Sequence, residues 1–178
     1  MDATDELGPL GLLPRSRLRV DDDVMSRLHV LAALDLTPEK RSLFRHQPEL
    51  FEYIDVIERE LKRFLSLPAL VPKPRYSLAP PVWVDELWHE LILNTPKYRS
   101  MCDAVYGSYL DHSPNPQGNV AELARTAGEI AEYSRSLIEE HYGALVGVIW
   151  RTDIMRPCQP NVVKCTWPPA SLLDAGRT

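Results

Sequence analysis

No run of apolar residues in this chain approaches the roughly 20 needed to cross a bilayer as a helix, so a membrane-embedded protein is not expected. Positive charge is not in excess either. Lysine and arginine total 20 against 25 aspartates and glutamates, a net charge of -5. That balance gives no general surface for a phosphate backbone, and no nucleic-acid partner is indicated. Three cysteines, Cys102, Cys158 and Cys165, make an odd set unsuited to a closed disulfide framework. The opening Met1-Asp2-Ala3-Thr4-Asp5-Glu6 is acidic, unlike a secretory or transit leader. A reducing cytoplasm is therefore the expected location. Glycines number only eight, none arranged as a phosphate-cradling loop, so no nucleotide cofactor is indicated.

What is present is a soluble-protein composition, 44% hydrophobic and 25% charged over 178 residues, enough for one domain with a sizeable core. Sixteen prolines mark where helices cannot run. Residues 1–20 read as an irregular N-terminal arm, with Leu12, Leu13 and Leu18 as packing residues. Asp21-Asp22-Asp23 before Val24, Met25, Leu28 and Leu31 is a helix start with its charge at the favourable end. Thr37-Pro38 is another. Residues 48–66 predict a long helix with a stripe of Leu50, Ile54, Ile57, Leu61 and Phe64, ended by Pro68. Asp55 with Arg59 and Glu58 with Lys62 have the spacing of helical ion pairs. Pro68, Pro72, Pro74, Pro80 and Pro81 predict an extended connector packed on the core. Residues 119–142 predict a second long helix, with Leu123, Ala127, Ile130, Ser134, Leu137 and His141 on its buried line and Gly143 as its stop. With no alternating run followed by a hairpin turn, the fold class is all-α: a helical domain over residues 21–150 and a proline-rich irregular tail over 151–178.

Chemistry concentrates between residues 81 and 114. At helical spacing Val84, Leu87, Trp88, Leu91 and Ile92 share an apolar arc, and Glu86 and Glu90 are expected to face water. Asp85 and His89 lie one turn apart on the flank of that arc, where a carboxylate can orient an imidazole. Pro96 restarts the helix, Gly107 caps its continuation, and Asp111-His112-Ser113-Pro114 forms a turn-rich loop. His89, His112 and Asp85 make a two-histidine, one-carboxylate set that suits iron, zinc or copper, with His141 a further candidate ligand. Without metal, Asp85 and His89 become an acid–base pair, with Tyr98 or His112 supplying a further proton and Cys102 a candidate nucleophile. Trp88 is a candidate wall for a planar substrate. Each residue also has a structural reading: Asp85 orienting a buried His89, Cys102 a small buried hydrophobe, His141 a satisfied core or capping residue, Trp88 core.

Val84-Asp85-Glu86-Leu87-Trp88-His89, Thr95, Tyr98, Cys102, Gly107 and His112-Ser113-Pro114 resemble the signature of the glycine-rich domain-containing protein-like family, over about residues 48–114. That family includes small bacterial proteins and larger plant proteins; the glycine-rich region of the plant members is absent here. The resemblance implies a helical domain whose site comprises Asp85, Trp88, His89, Tyr98, Cys102 and His112, and it supplies no reaction. Two functions follow as expectations. One is a small enzyme with a metal or acid–base centre acting on a small organic or peptidic substrate. The other is a non-catalytic helical module that binds a protein partner.

Overall fold

The computed structural model describes residues 7–74, 78–111, 113–114, 120–150 and 165–166. The chain is all-α, with seven α-helices among the described residues. A 3-10 turn, Pro9–Gly11, precedes the short helix α1, Pro14–Arg17. Helix α2 is Asp22–Ala33, started by the Asp21 carboxylate accepting from the Val24 N–H at 2.8 Å. Helix α3 is Thr37–His46, with Thr37 already inside it and the Asp35 carboxylate accepting from the Thr37 N–H at 2.9 Å. A 3-10 segment, Pro48–Tyr53, then leads into α4, Ile54–Leu70. Helices α5, Val82–Leu93, and α6, Thr95–Tyr106, follow, and α7 is Val120–Tyr142. The β pairing among the described residues is a two-residue antiparallel ladder, Ser113–Pro114 with Cys165–Thr166.

Helix α4 is the centre. It packs against α2, α5, α6 and α7, and its buried residues run almost all the way round it. Such a helix belongs inside a bundle rather than on its surface. Ile57, Leu61, Phe64 and Leu65 have no exposed surface and meet Leu28 and Leu31 of α2 and Val84, Leu87, Trp88 and Leu91 of α5 in one continuous core. Each such side chain contributes about 1.5–3 kcal/mol by leaving water. The Phe64 and Trp88 rings meet edge to face, centroids 5.6 Å apart.

Several local expectations change. Helix α4 continues through Pro68 to Leu70. In the last turn proline removes only its own N–H bond, and the Val71 N–H still reaches the Leu67 carbonyl at 2.7 Å. Asp55 pairs with Lys40 of α3 rather than with Arg59, which turns to Glu60. Glu58 does pair with Lys62, at 2.7 Å. Leu12 is fully buried, whereas Leu18 is 89% exposed. The connector packs as expected where described, with Leu78 wholly buried.

Candidate functional site

Helix α5 starts after Pro81 and places Asp85 in its first turn, its N–H donating to the Pro81 carbonyl at 2.9 Å. One turn later, His89 Nδ1 lies 2.8 Å from the Asp85 main-chain carbonyl and 3.5 Å from its carboxylate. A carbonyl only accepts, so Nδ1 carries the hydrogen, and the neutral ring keeps its lone pair on Nε2. The carboxylate is beyond a good hydrogen bond, so the main-chain carbonyl is the partner that orients the ring. The His89 side chain is 40% exposed and that of Asp85 17%, so the pair sits at the edge of the core with solvent on one side. Glu86 and Glu90 are half-buried rather than facing water, because α5 has α3 on one side and α4 on another. Leu93, one turn beyond His89, is 75% exposed.

Trp88, Tyr98 and Cys102 go the other way. All three are wholly buried. The Tyr98 hydroxyl donates to the Leu110 carbonyl at 2.9 Å, the Trp88 indole lies beside that same hydroxyl, and the Cys102 thiol lies beside it and the Leu110 main chain. Burial pushes the Tyr98 hydroxyl far above its usual range and the Cys102 thiol up. A nucleophilic cysteine needs a thiolate, and a proton-donating tyrosine needs access. Here the three side chains form an internal tie that folds residues 107–110 back onto α6.

His112 lies outside the described residues. His141, at the end of α7, is buried, and its Nδ1 lies 3.1 Å from the Ser16 hydroxyl of α1. Its contacts are therefore with the N-terminal arm. Among the described residues no group of three or more His, Cys, Asp or Glu side chains is placed to hold a metal ion. The structure thus joins Asp85 to His89 and, separately, Trp88 to Tyr98 to Cys102.

Two acidic residues outside the sequence-derived set hold the frame. Glu60, with no exposed surface, receives the Trp150 indole N–H at 2.7 Å, Arg63 at 3.0 Å and Arg59 at 3.3 Å. Glu39, 2% exposed, accepts from Asn94 at 2.8 Å and Lys97 at 2.6 Å, clamping the α5–α6 corner to α3. Glu60 had a sequence signal, since it falls between Ile57, Leu61 and Phe64 at helical spacing.

The fold and site thus define an all-helical protein in which an Asp–His pair is presented from a helix anchored by a buried Trp–Tyr–Cys tie. Residues 26–125, more than half of the chain, match the family model described as UCP032817-like, and the chain belongs to that family. It is an uncharacterised family, and it replaces the glycine-rich domain-containing protein-like resemblance, for which the match gives no support. No curated protein and no solved structure matches the chain. Among the described residues no helix is long and apolar enough to cross a membrane.

Proposed function

We propose that the protein acts through the His89 imidazole as a general acid–base group on a small organic or peptidic substrate. Asp85 holds the ring. The observation that carries this reading is the 2.8 Å contact of His89 Nδ1 with the Asp85 carbonyl. It fixes one tautomer and leaves the basic lone pair on the nitrogen farther from the backbone, in a side chain that solvent reaches. Imidazole is the side chain best matched to proton transfer near neutral pH. Tyr98 and Cys102 are left out of the chemistry because both are wholly buried and the Tyr98 hydroxyl is committed to the Leu110 carbonyl. A divalent ion at this centre would need ligands beyond the Asp85–His89 pair, and His112 is the sequence's candidate for one.

The test has two arms. Long-range nitrogen–proton NMR at neutral pH should show His89 as the Nδ1–H tautomer. Ester, amide and peptide substrates should then be turned over, with iron, zinc or copper supplied and withheld. His89→Ala should lower the rate by roughly 10²-fold or more, and Cys102→Ala should keep it. An Nε2–H tautomer, or turnover that survives His89→Ala, would refute the proposal.

A second reading, a helical module that binds a protein partner, draws on the 75% exposed Leu93 one turn from His89. There the two side chains belong to a docking face. Leu93→Asp, rather than His89→Ala, would then remove the activity, which is capture of the partner.

A further inference from the structure

The last turn of α7 is closed by a segment from the other end of the chain. Arg15 donates to the Glu140 carbonyl at 2.9 and 3.2 Å and to the Glu139 carbonyl at 3.4 Å. The Leu13 N–H donates to the His141 carbonyl at 2.9 Å, and Arg19 pairs with the Glu140 carboxylate at 3.1 Å. Terminal carbonyls of a helix have no partners within it, so the arm caps α7. Leu12, beside these contacts, is wholly buried.

One titratable ring sits inside this clasp. His141 is 7% exposed, with Nδ1 3.1 Å from the Ser16 hydroxyl. The charges facing it are Arg15 and Arg19 from the arm and Glu140 from its own helix. From α4, Arg63 lies over the neighbouring Tyr142 ring, 5.1 Å from its centroid, and is paired with Glu60 at 3.0 Å. Two cations therefore oppose a charge on His141, and Glu140, which favours it, is already held by Arg19.

We propose that this clasp is a proton-operated latch: protonation of His141 releases residues 8–19 from the end of α7 while the helical body stays folded. Closed, the latch keeps a neutral imidazole out of water. Open, it returns the imidazolium to solvent, parts it from both arginines and uncovers Leu12. Burial chiefly, helped by the arginines and opposed by Glu140, holds the His141 pKa below its ordinary value, in agreement with the geometry. Opening also takes the Leu10 carbonyl away from Arg63, which it meets at 2.9 Å, so the event is felt at the Glu60 cluster.

Hydrogen–deuterium exchange on the full chain, corrected for intrinsic rates, tests this at about pH 7.5 and about pH 5, on either side of the ordinary imidazole range. Peptides covering residues 8–19 should lose protection by about tenfold at the lower pH, while α4 keeps its protection. His141→Gln should hold the arm at both pH values. Arg19→Gln, an exposed change, should shrink the difference, because it removes a repelling cation and frees Glu140 to welcome the charge. Loss of protection that is the same in wild type and both variants overturns the latch, as does no loss in wild type or an equal loss in α4.

Discussion

Glu60 is the residue that ties Trp150 to the middle of α4. Its carboxylate has no exposed surface and meets Arg63, Arg59 and the Trp150 indole. A charge in that position is tolerated because it is paired and hydrogen-bonded. Glu60→Gln keeps an acceptor for the indole but leaves Arg63, only 11% exposed, without its counter-charge. The expected loss is on the order of 3 kcal/mol, read as a lower urea midpoint at unchanged slope. Removing both charges while keeping the indole's acceptor, in Glu60→Gln with Arg63→Met, should recover most of it, since the cost lies in the orphaned cation. The position of Glu60 among apolar neighbours is legible at helical spacing, but its partner Trp150 is 90 residues away, beyond any local pattern. The Asp85–His89 juxtaposition is legible for the opposite reason, as a one-turn relation. Its finer point, that the ring meets the main-chain carbonyl more closely than the carboxylate, depends on a side-chain rotamer that spacing does not encode.

Among elements, α6 shows most directly how a local signal sets a distant contact. It ends at Gly107, whose φ of +71° is left-handed and whose N–H donates to the Asp103 carbonyl at 3.1 Å. That turn brings Leu110 back over Tyr98. A Cβ at Gly107 would meet nothing within 4 Å, so Gly107→Ala isolates the conformational cost, about 1–2 kcal/mol, and Gly107→Asn should cost less. A fall in melting temperature of roughly 2–4 °C per kcal/mol would report it, and no change would mean that residues 107–110 rearrange freely. Gly11, at φ +78°, is the contrast, since a Cβ there would also meet the Arg63 guanidinium at 2.8 Å. Element boundaries that rest on such local chemistry were legible: the Asp21 cap, the α5–α6 break before Pro96, the Gly107 stop. Boundaries that rest on packing were not. Pro68 reads as a terminator, yet α4 passes through it because its last turn is buried and loses only one bond. Asp55 reads as a partner for Arg59, yet Lys40 arrives from α3 at 3.1 Å.

For the molecule as a whole, the buried titrating groups set a stability window open between mildly acidic and moderately alkaline pH. On the acid side, burial holds His141 below its ordinary 6.5, so the unfolded chain takes up that proton first and stability falls as pH drops below 6.5. Glu58 follows below 4.5: burial alone would raise its pKa, but hydrogen bonds from Lys40 and Lys62 win and lower it. The alkaline side is steeper. Burial raises Tyr98, Tyr142 and Tyr106 above their ordinary 10, and each hydroxyl is bonded, to Leu110, Ser66 and Leu65 respectively. The unfolded chain releases these protons from about pH 10 while the fold retains them. Stability is therefore fully present below 10 and declines above it, by about 1.4 kcal/mol per pH unit for each tyrosine. Lys40, raised by Glu58 and Asp55 against the opposing effect of burial, adds to the decline above 10.5. Unfolding free energies from urea titrations should be level between about pH 7 and pH 9.5 and fall steeply beyond 10. Tyrosinate absorbance, followed alongside far-ultraviolet circular dichroism, should rise in two steps: a reversible one with the helices intact, then a cooperative one that coincides with their loss. A single step with full helicity retained would mean that water reaches all seven tyrosines, and that the Trp88–Tyr98–Cys102 tie is open in solution.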